Sequence, residues 1–136
     1  MVDLSQLENF TAAELLGWAI HTYAEKFAIA TSFQKEGMVI LDIASRISPA
    51  VRVFTLDTGR LPDETYLMME TVRQRYGIPV EIVFPERDDV EQLVAIHGPN
   101  LFYSSLPARK RCCASLRAWL ASSTFEWVES TSFAAD

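Results

Sequence analysis

Three short segments of this sequence combine residue types that can do chemistry together. The first is Thr31-Ser32-Phe33-Gln34-Lys35-Glu36-Gly37, where a hydroxyl (Ser32) and an ammonium (Lys35) precede a glycine. At the start of a helix such a segment suits a phosphate or sulfate, because unpaired backbone N–H groups and the positive end of the helix dipole both face the anion. The same residues also read as an ordinary strand-to-helix turn. They hold one glycine and match neither a Walker loop nor a dinucleotide fingerprint. The second segment is Leu56-Asp57-Thr58-Gly59-Arg60-Leu61. Asp57 and Thr58 are suited to hydrogen-bond a sugar or a base edge, Gly59 permits close backbone approach, and Arg60 can grip an anion bidentately. Its plain alternative is a turn with a solvated arginine. The third is Arg109-Lys110-Arg111-Cys112-Cys113. Three cations beside two thiols favour thiolate, which ligates soft metals and iron–sulfur clusters. Its plain alternative is a small buried residue beside a solvated basic turn.

The elements that must position these segments follow from periodicity. Thr11-Ala12-Ala13-Glu14 is a capping-box pattern ahead of Leu15, Leu16, Ala19, Ile20 and Tyr23, which predicts a helix from Ala12 to about Glu25. Phe27 to Ser32 reads as a buried strand and Gly37 to Arg46 as a helix. Val51 to Leu56 reads as a second strand. Leu61-Pro62-Asp63 then opens a helix to about Tyr76, with Gly77 as its C-cap. Pro79 to Phe84 is a third strand, and Asp88 and Asp89 are placed to cap a helix over Val90 to His97. Asn100 to Pro107 reads as a loop, and Cys113 to Leu120 as helical. Strands alternating with helices imply an α/β domain with a parallel sheet. The first two segments then lie at the carboxyl ends of consecutive strands, where open α/β sheets bind ligands. His21 reads as structural, and His97 as a partner for the dipole at its helix's C-terminus.

Composition narrows the function classes. The chain holds 12 basic and 18 acidic residues, a net charge of −6, so a nucleic-acid partner is not expected. No apolar run approaches the roughly 20 residues of a membrane span. Met1 to Phe10 has no Lys or Arg and lacks a secretory signal pattern, so a cytoplasmic location is expected. The two cysteines are adjacent, unlike the spaced pairs of a disulfide framework.

Taken together the three segments resemble the assimilatory adenylyl-sulfate and phosphoadenylyl-sulfate reductases. Ser32 to Gly37 is similar to that family's modified pyrophosphate-type loop. Leu56 to Leu61, followed by Glu64-Thr65-Tyr66, is similar to its most recognisable signature. Arg111-Cys112-Cys113 resembles the first cysteine pair of its cluster-bearing branch. The resemblance runs from about Phe27 to Cys113. It implies a Rossmann-like, adenine nucleotide α-hydrolase-like fold with helices flanking the sheet. It implies thioredoxin-dependent reduction of nucleotide-bound sulfate to sulfite with release of adenosine monophosphate, in sulfate assimilation and cysteine biosynthesis. The substrate-binding residues it implies are Ser32, Phe33, Gln34, Lys35, Glu36 and Gly37, with Leu56, Asp57, Thr58, Gly59 and Arg60. It implies Cys112 and Cys113 as ligands of a [4Fe-4S] cluster.

The sequence also departs from the family pattern. Ala114 to Leu120 replaces a stretch containing Arg-Lys and then Pro-Leu, with Leu116 and Arg117 at the Arg-Lys positions. A second cysteine pair in C-x-x-C spacing and the segment with the nucleophilic cysteine have no counterpart here. Residues 1–120 are therefore expected to form a reductase-like nucleotide-binding domain, incomplete at its C-terminus, and 121–136 an atypical tail. The chain alone is expected neither to reduce adenylyl sulfate nor to hold a stable cluster. A catalytically silent adenine-nucleotide-binding module is the alternative reading. An ATP pyrophosphatase of the related superfamily is a third, disfavoured by Phe33, Gln34 and Gly37 in the first loop.

Overall fold

The structure is a computed structural model and describes residues 4–111. Helix α1 (Leu4–Leu7) is a single turn with no counterpart in the periodicity reading. Helix α2 (Ala12–Tyr23) starts at the expected capping box. The Thr11 hydroxyl accepts from Glu14 N at 3.3 Å, while the Glu14 carboxylate accepts from Thr11 N at 2.8 Å. These bonds satisfy N–H groups that a helix start otherwise leaves unpaired, and they hold the Glu14 carboxyl below its ordinary range. The chain then tightens into a 3-10 turn (Ala24–Lys26). Strand β1 (Ala28–Ala30), helix α3 (Lys35–Ile47), strand β2 (Arg52–Leu56), helix α4 (Asp63–Tyr76), strand β3 (Val80–Val83) and helix α5 (Arg87–His97) follow in the expected order. Gly77 ends α4 in the left-handed conformation at φ 65°, as a C-cap glycine does.

The three strands form a parallel sheet in the order β1-β2-β3, so β2 is central. Its register explains the core. Ile29, Val53 and Val80 stand in one row across the sheet, and this row meets Leu41 and Ala44 of α3 with Met69 and Val72 of α4. Leu41 and Val53 are fully buried, each stabilising the fold by about 2 kcal/mol. The alternate residues of β2 face the other way. There Arg52 forms a two-bond ion pair with Glu81 of β3, which keeps the Glu81 carboxyl below its usual range. Both side chains are about two-fifths exposed, so the pair adds little stability and chiefly favours this strand register.

The region after α5 differs from expectation. Asn100 to Pro107 is not a loop: helix α6 spans Leu101–Ser104, and residues 106–111 are helical again. The reason is local and tertiary together. The Asn100 carbonyl accepts from both the amide (3.1 Å) and hydroxyl (3.0 Å) of Ser104, and Pro107 sits in a first helical turn, where its missing N–H has no cost. Leu101 and Ala108 are buried, so each short helix has an apolar side to pack. Two helix starts also move. α3 begins at Lys35, two residues before Gly37. α5 begins at Arg87 after Glu86, which leaves Asp88 and Asp89 in the first turn instead of at the cap. There they still favour the positive end of the helix dipole. Among the described residues no helix is long and apolar enough to cross a membrane.

Candidate functional site

β1 and β2 are hydrogen-bonded neighbours, so the segments that leave their carboxyl ends emerge side by side. The first, between β1 and α3, is shaped by sterics. Thr31 continues the ladder, its N–H bonding the Phe54 carbonyl at 3.0 Å. Its hydroxyl then accepts from Phe33 N at 3.0 Å and closes a tight turn. Phe33 has φ 60°, a left-handed conformation that is costly for a residue with a Cβ. Its ring is 8% exposed and belongs to the core cluster, and that burial offsets the backbone cost. Gly37 is required for a related reason: a Cβ there would lie 2.6 Å from the Thr31 hydroxyl oxygen. Ser32, Gln34, Lys35 and Glu36 are exposed. Gln34 caps α3 through its backbone alone, with no side-chain bond to the first-turn amides. Those amides therefore remain available at the loop.

The second segment, between β2 and α4, is shaped by charge. Asp57 is 2% exposed, and its backbone N–H bonds the Val83 carbonyl at 2.9 Å. One carboxylate oxygen accepts from Gly59 N at 2.6 Å, and the other from the Tyr66 hydroxyl at 2.8 Å. Asp57 thus has internal partners for both oxygens, so its carboxylate shapes the loop from within, unlike the outward ligand role read from sequence. The hydrogen bond to Asp57 holds the Tyr66 phenol above its ordinary pKa, keeping it a donor. Leu56 and Thr58 are half-buried, while Gly59 (φ 78°) and Arg60 are exposed. Arg60 donates to the Pro99 carbonyl and lies over the Tyr103 ring at 5.9 Å. One of its five N–H groups is committed, and the rest remain free for an anion among the described residues. Asp63 and Glu64 put two negative charges in the first turn of α4, whereas Lys35 offsets Glu36 in that of α3, so an anion is favoured at α3's start over α4's.

The structure therefore brings the first two candidate segments together and adds two groups the sequence reading had not placed. Tyr66 was singled out only within the resemblance; a hydroxyl on the first turns of the following helix was the available signal. The Pro99–Tyr103 contact with Arg60 had no such signal, since it joins residues 39 positions apart. His21 is exposed on α2, with Nδ1 2.7 Å from the Gly17 carbonyl one turn back. His97 does more than complement a dipole: its Nε2 accepts from the Arg111 guanidinium at 2.6 Å, tying α5 to the helical stretch at 106–111. Cys112 and Cys113, and the expected helix over Cys113 to Leu120, lie outside the described residues. A cubane cluster takes four protein ligands, and this chain has two cysteines. Among the described residues no group of three or more His, Cys, Asp or Glu is set to hold a metal ion. Cys112 and Cys113 could supply two of those four ligands. A separate cleft of about 580 Å³, lined by Thr22 to Lys26, lies before β1, away from the two carboxyl-end loops.

A parallel sheet with helices between its strands and two polar loops at its carboxyl edge defines the class, a Rossmann-like α/β domain. Comparison with known proteins sets the family. The phosphoadenosine phosphosulfate reductase domain model matches residues 26–124, and the chain belongs to that family. It is 42% identical over 89 residues to the adenosine 5'-phosphosulfate reductase of Allochromatium vinosum, covering 65% of this chain and 35% of that protein. It is 36% identical over 116 residues to adenosine 5'-phosphosulfate reductase 2 of Bacillus subtilis, covering 79% and 49%. The crystal structure of phosphoadenylyl-sulfate reductase from Candida auris, a phosphate complex, superposes with a TM-score of 0.70 at 25% identity, covering 86% of this chain and 57% of that one. The chain thus spans about half the length, or less, of the curated relatives it matches.

Proposed function

We propose that this chain supplies the nucleotide-binding part of an adenylyl-sulfate or phosphoadenylyl-sulfate reductase, and that the nucleotide sits across the two loops at the ends of β1 and β2. In adenylyl sulfate the bond between sulfate sulfur and the bridging oxygen of the phosphate breaks. Sulfur gains two electrons and leaves as sulfite, adenosine monophosphate is released, and the reductant, thioredoxin, goes from dithiol to disulfide. This chain's own residues bind and orient. The free amides of α3's first turn, with Ser32 and Lys35, face the phosphosulfate. Thr58 and the Gly59 backbone border the ribose or base, and Arg60 offsets the charge that develops on the departing phosphate. Phe33 and Asp57 act from behind, holding Gln34 and Gly59 where their backbones are exposed. Leu56 sets the strand end, while Glu36 and Gly37 shape the α3 entry. Cys112 and Cys113 are proposed as two of the four ligands of a [4Fe-4S] cluster, whose negative charge Arg109 to Arg111 would partly offset. With both thiolates bound to iron, neither cysteine is available as the nucleophile.

The observation that carries this reading is the adjacency of two differently built polar loops at neighbouring strand ends, in a chain of this family. Calorimetric titration tests it. Wild type should bind adenosine monophosphate and adenylyl sulfate. Arg60→Ala should weaken both by about 1–3 kcal/mol, the range for a lost charged hydrogen-bond partner. Unchanged affinity in Arg60→Ala removes Arg60 from the site. The presence of two cysteines favours a second reading, a nucleotide-binding module without chemistry. Sulfite release by the chain with thioredoxin, lost in Cys112→Ser or Cys113→Ser, would decide against it.

A further inference from the structure

Asp57 poses an electrostatic problem. A buried carboxylate lies one loop turn from the exposed Arg60, the group assigned above to the departing phosphate. Left uncompensated, its negative charge would oppose an anion held at Arg60. The structure shows where that charge goes. Gly59 N donates to one oxygen at 2.6 Å and the Tyr66 hydroxyl to the other at 2.8 Å, so the loop's own donors face the charge. Tyr66 comes from α4, is 38% exposed, and its hydroxyl reaches the Asp57 carboxylate across the loop. The phenol's raised pKa fits a group held as a donor to a carboxylate. We infer that Tyr66 is a positioning residue for the anion site: by donating to Asp57 it holds the carboxylate on Gly59 and shields its charge, so that Arg60, the next residue, can face a phosphate. This inference rests on the nucleotide-site reading above.

Its signature is selectivity for charge. A residue that only braced the fold would affect charged and uncharged ligands alike. The experiment is calorimetric titration of the full chain with adenosine monophosphate and with adenosine at matched ionic strength, for wild type, Tyr66→Phe and Tyr66→Phe/Asp57→Asn. In Tyr66→Phe, affinity for the monophosphate should fall about tenfold, the size of one hydrogen bond to a charged group, while adenosine stays within about twofold. Adding Asp57→Asn removes the unshielded charge and keeps an acceptor for Gly59 N–H, so monophosphate affinity should recover by at least about threefold. Equal losses for both ligands, no loss in Tyr66→Phe, or no recovery in the double variant each overturn the inference while leaving the site reading intact. A wild-type chain that binds neither ligand overturns the site reading and this inference with it. Thermal unfolding of each variant, expected to remain cooperative, separates lost binding from lost fold.

Discussion

The two loops at the sheet's carboxyl edge stand beside each other and are held by opposite means. The β1–α3 loop is a steric device. A buried ring pays for a left-handed backbone at Phe33, and a glycine at 37 makes room for the Thr31 hydroxyl. The β2–α4 loop is an electrostatic device, built on one buried carboxylate with a donor on each oxygen. Steric clamps are insensitive to pH and salt and break when volume changes. Charge clamps tolerate small volume changes and break when a donor or a proton is lost. The anion site proposed above would draw on both, with a cradle of backbone amides on one side and an arginine on the other.

Three perturbations sharpen this contrast. Asp57→Ala should have the largest effect, since it leaves the Gly59 amide and the Tyr66 hydroxyl without their acceptor. The expected loss is about 3 kcal/mol of unfolding free energy in urea, with the transition still cooperative. A loss under about 1 kcal/mol would mean that water replaces the carboxylate, and the charge-clamp description fails. Gly37→Ala comes next. Alanine is the better helix former by about 1 kcal/mol, yet its Cβ would meet the Thr31 oxygen at 2.6 Å. Overpacking typically costs about 1–3 kcal/mol, so the clash wins and the net loss is about 1 kcal/mol. Thr31→Ala combined with Gly37→Ala should cost less than the two singles summed, because the first substitution removes the atom that clashes. Strict additivity would show that the contact is not what demands glycine.

The smallest effect is in alkali. The Tyr66 phenol is held above its ordinary pKa chiefly by its bond to Asp57. A folded-state pKa raised above the unfolded value contributes stability that is complete below the ordinary phenol range, near 10. That stability is lost as pH rises through the raised value. Ultraviolet titration of the four tyrosines should therefore lose a late-ionising phenol in Tyr66→Phe. Loss of an early one would contradict the Asp57 bond. The Thr31–Phe33–Gly37 clamp contains no titratable group, so the first loop should keep its geometry over the same range.

Much of the scaffold was legible in residue order. The Thr11-to-Glu14 capping box, the β-branched run at 51–56 and Gly77 after Tyr76 are local signals with local causes, and each marks the element it predicted. Their alternation sufficed for a parallel α/β domain with two polar loops at neighbouring strand ends. What failed was local propensity without a visible partner. Asn100 to Pro107 looked like a loop because its serines, proline and asparagine disfavour helix interiors. Two short helices form there because Leu101 and Ala108 find buried surface, which periodicity over so few residues does not reveal.

The site divides the same way. Residue types alone determined that Ser32 to Gly37 and Leu56 to Arg60 could meet an anion, since hydroxyl, amide-rich turn, glycine and guanidinium are what anion recognition requires. Only the tertiary structure decided which groups face outward. It turned Phe33 into the core and Asp57 into its own loop. It also brought Tyr66 onto the carboxylate and set Arg60 against Pro99 and Tyr103. The physical reason is that a side chain's direction depends on what else can bury or pair it. For these residues the partners lie on other turns and other elements, beyond the reach of any local pattern.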